Sequence, residues 1–218
     1  MIMDISFEQW IDCLFGHDEA EGDWRFDMEM PLADISNDLV VDYTIKMYEN
    51  FAGIIQGFSD WQLGMGLYYL YSHTYSNLVY AFHDESIELK KRLKAISLMN
   101  VLYQDCLAKR CHEVLGHKSE KGSELDSFNY MLWDVTPLIF CPENTDKKFI
   151  CAALEDVLAF ALSIKHKGCI ESGLHGIGHF MLEHEEASKL ATAYIRNPTV
   201  ENEELLAYAK KAEVGYVL

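Results

Sequence analysis

The sequence predicts an all-α fold: a single compact domain of about eight or nine helices packed as irregular HEAT-like antiparallel pairs. Three observations predict it. Apolar residues recur at spacings of three and four along most of the chain, and no stretch alternates apolar with polar residues as a half-buried strand would. Serines followed three residues later by glutamine precede apolar runs, the signature of a capping box. Only 4 Pro and 13 Gly occur in 218 residues, which fits long elements on short connections, and helices so joined pack as antiparallel neighbours. No fixed period is visible, so any solenoid is degenerate. Residues 1–218 therefore read as one domain, with an acidic N-terminal helix and loop over 1–35 and a helical core over 36–218.

The first helix starts at Ser6, which with Gln9 forms a capping box ahead of Trp10, Ile11 and Leu14. Gly16 to Pro31 reads as a long acidic loop that holds Trp24, Phe26, Met28 and Met30 among its acids. Ser36 caps a helix with Leu39, Val40, Tyr43, Met47, Tyr48, Phe51 and Ile55 on one face. Ser59 and Gln62 open the next, which is apolar nearly all round through Trp61, Leu63, Leu67 and Leu70 and is therefore expected at the centre. After a break near His73 comes a short apolar stretch, Leu78 to Phe82.

Ser86 is expected to start a long helix with Ile87, Leu93, Ile96, Met99, Leu102, Tyr103, Cys106 and Leu107 inside and Lys90, Lys91, Arg92 and Lys94 in water. Lys118 to Glu124 reads as loop, Asn129 to Trp133 as helix, and Pro137 and Pro142 bracket an irregular segment. Thr145 or Asp146 caps a helix to about Lys165, and Gly168 separates it from one that continues to Arg196 with a kink near Glu183. Asn197-Pro198-Thr199 stops it, and a last amphipathic helix covers about Val200 to Lys211.

Charge bounds the function. The net charge is −17, and residues 1–42 hold 12 acids against one base, Arg25. Nucleic acid is not expected as a partner, because binding it requires Lys and Arg at the phosphates. Anionic membrane is disfavoured for the same reason. A basic protein partner is favoured, since complementary fields speed association. The mixed acidic and aromatic loop suits an interface with an apolar centre and a charged rim.

Six cysteines, Cys13, Cys106, Cys111, Cys141, Cys151 and Cys169, form no CxxC pair, and most lie in apolar helical stretches. Reduced, buried thiols behave so. The N-terminus has no basic region before an apolar run, and no run of 18 apolar residues exists. No signal peptide or membrane span is therefore expected, and a cytoplasmic location is.

The motif with most chemistry is Leu174-His175-Gly176-Ile177-Gly178-His179. His175 and His179 share a helical face, with Glu183 a further four along. Two readings follow. One is a His-His-Glu metal face. It lacks the glutamate directly after the first histidine that a zincin uses as general base, and Gly176 stands there instead. The other is packing: Gly173, Gly176 and Gly178 disfavour a helix unless another element approaches closely, and the histidines are then hydrogen-bonded core residues. The second accounts for more, so no metal and no cofactor is expected. Cys106, Cys111, His112 and His117 form another cluster, but neighbours such as Cys111 and His112 point about 100° apart on a helix and make a poor dyad. No GxSxG, P-loop or GxGxxG occurs, and the acids of 18–29 are not spaced as an EF-hand. No catalytic residue is expected.

Several blocks carry a family resemblance: Trp61 to Leu70 (WQLGMGLYYL), Ser76 to Phe82, Leu89 to Ile96, Leu102 to Leu107, and Cys169 to His179 (CIESGLHGIGH). Over roughly residues 36–196 the chain resembles a group of bacterial all-helical, HEAT-like proteins found beside polymorphic toxins. Among these it is similar to immunity proteins of contact-dependent growth inhibition. The resemblance implies a protein that binds and neutralises the toxic C-terminal nuclease domain of a delivered effector, an EndoU-type RNase as the leading expectation, by occluding its basic active-site cleft. The residues expected to meet that partner are Asp18, Glu19, Glu21, Asp23, Asp27 and Glu29, with Trp24 and Phe26 as anchors. The alternatives are a metal-dependent hydrolase using His175, His179 and Glu183, and a cytosolic helical scaffold.

Overall fold

Ser6, Ser36, Ser59 and Ser123 each accept a hydrogen bond from the backbone N–H three residues on, and each starts a helix. The computed structural model describes residues 5–27, 32, 35–141 and 143–217. Its principal helices are α1 (Phe7–Phe15), α2 (Asn37–Glu49), α3 (Asp60–Tyr71), α4 (Leu89–Ser97), α5 (Glu124–Val135), α6 (Lys147–Ser163), α7 (Lys167–Phe180), α8 (Ser188–Arg196) and α9 (Glu203–Ala212). No strand occurs among the described residues, and no helix among them is long and apolar enough to cross a membrane. The chain is all-helical, and it also holds shorter helical pieces, among them Phe51–Ile54, Met99–Val101 and Ala108–Arg110. It is thus more finely divided than eight or nine continuous helices.

As its all-round apolarity predicts, α3 is central, packed between α1 and α5. Two glycines set these distances. A Cβ on Gly64 would come within 2.7–2.8 Å of the backbone of Glu124 and Leu125, and one on Gly66 would collide with Leu14 and Phe15. Helix α5 packs on α3 and also on α7, and α7 in turn packs on α6 and α9. The core is one continuous cluster that runs from Trp10 and Phe15 through Leu67 and Trp133 to Ile177 and Tyr208.

Several boundaries differ from the sequence reading, each for a local reason. Ser86 starts no helix: its N–H and hydroxyl donate to the Asp84 carboxylate at 2.9 and 2.7 Å in a turn, and α4 begins at Leu89. Helix α5 begins at Glu124, ahead of the expected Asn129, because Ser123 and Asp126 form a capping box at the end of the Lys118–Glu124 segment. Gly168 lies inside the first turn of α7, whose N-cap is His166. Helix α7 stops at Phe180, a turn and a short 3-10 segment follow, and α8 starts only at Ser188, so no single helix reaches Arg196. The last helix, α9, begins at Glu203 behind its cap Asn202, later than the expected start near Val200. The segment after α4 widens into a π-helical stretch, Leu102–Leu107, which buries Leu102, Tyr103, Cys106 and Leu107.

Arg92 departs furthest from its expected wet face. It is 1% exposed, ion-paired to Asp146 at 2.6 Å, and donates from Nε to the Ile87 carbonyl at 3.0 Å.

Candidate functional site

The glycines of the Leu174–His179 motif bring a carboxylate to its histidines. A Cβ on Gly176 would lie 2.7 Å from the Trp133 ring, and one on Gly178 would press on Val217. With no Cβ at Gly176, α7 settles directly on the last turn of α5, and with none at Gly178 the C-terminal segment reaches α7 at Val217. Trp133, fully buried, donates from its indole to the Tyr103 hydroxyl at 2.9 Å, and that hydroxyl meets Ser172 of α7 at 2.8 Å. The two helices are thereby fixed in register, and Asp134, next to Trp133, faces the residues on either side of Gly176 and Gly178.

The Asp134 carboxylate meets both imidazoles. Its Oδ2 is 2.6 Å from His175 Nε2, its Oδ1 2.8 Å from His179 Nε2, and the two Nε2 atoms are 3.1 Å apart. His175 is 1% exposed, whereas His179 and Asp134 are 26% and 29% exposed, so the cluster opens to solvent on one side. Burial disfavours ionised Asp134, but the hydrogen bonds and charges of His175 and His179 outweigh it and hold its pKa well below the carboxylate range. On its other side, His175 Nδ1 contacts the Tyr208 hydroxyl. Burial first, then Tyr130, Glu171 and Asp134, push the Tyr208 pKa up, so the phenol stays protonated.

A second carboxylate, Glu171, extends the network. It is 1% exposed and accepts from the Gly116 N–H at 2.7 Å, the His117 N–H at 3.0 Å and the His117 ring at 2.5 Å. The His117 ring stacks on Tyr208 with centroids 4.3 Å apart. Tyr130 and Glu171 also line a cleft of about 240 Å³ with His112, Ser123, Asp126 and Asn129.

The structure revises the ligand set of the metal alternative. Because α7 ends at Phe180, Glu183 lies past the helix end, and its charge falls near Cys141 and Lys147 instead. Asp134, distant in sequence and flagged by no motif, supplies the carboxylate. Close packing at the glycines, as expected, and convergence of the histidines occur together.

The Cys111–His112 neighbours form no dyad. The His112 ring contacts Asp126 at 2.8 Å, His117 is held by Glu171, and Cys111 Sγ points to the Leu125 carbonyl. Burial drives the Cys111 and Cys169 thiols far up and Cys106 to about 12. All six cysteines are free thiols.

The His112–Asp126 pair makes stability pH-dependent. The hydrogen bond and charge of Asp126 raise the pKa of His112. Asp126 is disfavoured by burial but stabilised more by His112 and Ser123, and its pKa is lowered. The carboxylate's contribution is in place above about pH 4 and fades as pH falls through its folded pKa; the imidazole's is complete below about pH 6.5 and fades as pH rises through its own. The melting-temperature gap between the protein and His112→Ala is therefore expected to be widest between about pH 4 and 6.5. A gap that stays constant from pH 3 to pH 9 would refute the pair.

The acidic segment is anchored from beneath. Trp24 is buried, stacked on His17 at 3.9 Å and packed against Tyr69. Expected as an anchor for a partner, Trp24 is instead packed inside the chain. Arg25, 9% exposed, pairs with Asp23 at 2.8 Å and Glu124 at 3.5 Å and covers the Tyr75 ring at 4.1 Å. Phe26 is 62% exposed with its ring against Tyr75. Asp18, Glu19, Asp23 and Asp27 are exposed. The side chain of Glu21 and all of Glu29 lie outside the described residues.

Comparison of the chain with models of known families, with curated proteins and with solved structures found no match.

Proposed function

We propose that this chain is a cytoplasmic immunity protein that binds and neutralises a basic nuclease toxin domain of contact-dependent growth inhibition, with an EndoU-type RNase as the first candidate. The reading rests on the sequence resemblance, a net charge of −17 and one structural observation. The N-terminal segment turns Trp24 and Arg25 inward and leaves Asp18, Glu19, Phe26 and Asp27 exposed. Inhibition then needs no catalysis and no cofactor. The carboxylates of Asp18, Glu19 and Asp27 stand in for substrate phosphates in a cationic cleft, Asp23 holds Arg25 in place beneath them, and Phe26 supplies the apolar centre. Because Arg25 and Trp24 fix the segment before binding, little ordering entropy is lost on association. The finer architecture belongs to the same proposal: α6 against α7 and α8 against α9 are taken as HEAT-like pairs.

The test is a titration against the basic toxin domain encoded directly upstream of this chain's gene, following RNA cleavage at two salt concentrations. Stoichiometric inhibition is expected, with association slower in high salt. The combined change Asp18→Lys, Glu19→Lys, Asp27→Lys should slow association at least about 10-fold at low salt. Absence of inhibition at equimolar protein overturns the reading, and unchanged association by that variant moves the interface away from this segment.

A further inference from the structure

We infer that Asp134, His175 and His179 form a binding site for one divalent transition-metal ion, Zn²⁺ in preference, with an open coordination position facing solvent. This goes beyond the immunity reading and does not depend on it.

The spacing argues for it first. One carboxylate oxygen and two imidazole Nε2 atoms from two helices lie within 4.8 Å of one another. Zinc ligands at about 2.0–2.1 Å in tetrahedral array stand roughly 3.3 Å apart. The two Nε2 atoms, at 3.1 Å, already have that separation, and the carboxylate need withdraw by less than about 1 Å. Imidazole nitrogen with a carboxylate is the donor set of zinc and its first-row neighbours.

The protonation pattern argues for it second. Without a metal, both imidazoles direct Nε2 at one carboxylate, and N–H groups on both would face each other across 3.1 Å. An ion that replaces those protons removes the conflict. Ligation through His175 Nε2 requires its proton on Nδ1, and the Tyr208 oxygen is there to accept it. This is the outer-shell contact that fixes the tautomer of metal-bound histidine. Tyr208 is itself held by Tyr130 and by the stacked His117.

Burial is graded as a site with an open position requires. His175 is closed off at 1% exposure, whereas Asp134 and His179 keep 29% and 26%. The remaining position is left to water or to a donor from another molecule.

The experiment uses the full chain, purified without a tag, stripped with chelator and titrated with Zn²⁺ by calorimetry and with Co²⁺ by visible absorption. One equivalent should bind, Co²⁺ should give the intense bands of a low-coordinate site, and melting should move upward with Zn²⁺. His179→Ala, at a partly exposed position, should keep its circular-dichroism spectrum and lose at least about 100-fold in affinity. Tyr208→Phe should lose about 10-fold, and Glu183→Ala should lose nothing. Less than about a tenth of an equivalent bound, or undiminished affinity in His179→Ala, overturns the site.

Discussion

Glu171→Ala is expected to destabilise the protein by about 2–4 kcal/mol, because it leaves three donors without their acceptor. The carboxylate is 1% exposed, yet it accepts from two consecutive backbone N–H groups and an imidazole, all from Gly116 and His117. It lies 54 and 55 residues away in sequence from those donors. It thus closes a short loop onto α7, next to buried Leu115, where Gly116 lies against the Tyr130 ring and the His117 ring stacks on Tyr208. For a chain of this length the loss corresponds to a fall in melting temperature of roughly 5–15 °C. Glu171→Gln keeps one acceptor oxygen but turns an NH₂ group toward the other donors, so about half the loss is expected. Hydrogen exchange at Gly116 and His117 should accelerate in both variants. If Glu171→Ala melts within about 2 °C of the parent, water replaces the carboxylate and the loop does not depend on it.

What was legible in the sequence follows from the range of the forces involved. Caps and periodicity are local. Ser6, Ser36 and Ser59 with their partners three residues on mark helix starts that the structure keeps, and the all-round apolarity of α3 marks the centre. The glycines of the Leu174–His179 motif point to close approach, and α7 does meet Trp133 and Val217 there. A side chain whose partner lies far along the chain was not legible. Asp134 carries no motif, and only the packing of α5 on α7 reveals it as the carboxylate that His175 and His179 share. Glu183 had the right spacing, but the helix that would carry it ends at Phe180. Trp24 shows the same limit in the acidic segment: composition alone leaves its ring free for a partner, whereas His17 and Tyr69 draw it inward. One missed signal was available. Ser123 and Asp126 have the capping spacing, with an aspartate where glutamate or glutamine is usual.

Arg92 teaches the converse, and it carries the second large effect. In the cluster Lys90, Lys91, Arg92 and Lys94 all four side chains read as solvated, and three remain so placed that their ammonium groups reach water or surface acids. Arg92 alone turns toward α6, because Asp146 at the start of that helix offers a carboxylate and the Ile87 carbonyl accepts from Nε. A guanidinium suits such a place, since its planar donors can be satisfied in fixed directions. Asp146→Ala removes the counter-charge and leaves that cation 2% exposed. The expected cost is about 3 kcal/mol, at the lower end for a broken buried pair because Asp146 is itself 20% exposed. The double variant Arg92→Met, Asp146→Ala tests the cause. A methionine fills much of the same volume without a charge, so most of the loss should be recovered if the penalty is an unpaired buried cation. A double-mutant cycle in urea, with unchanged m-values, measures this as a coupling of at least about 1.5 kcal/mol. Additive losses would mean instead that each side chain acts through its own packing and that the ion pair contributes nothing to holding α4 against α6.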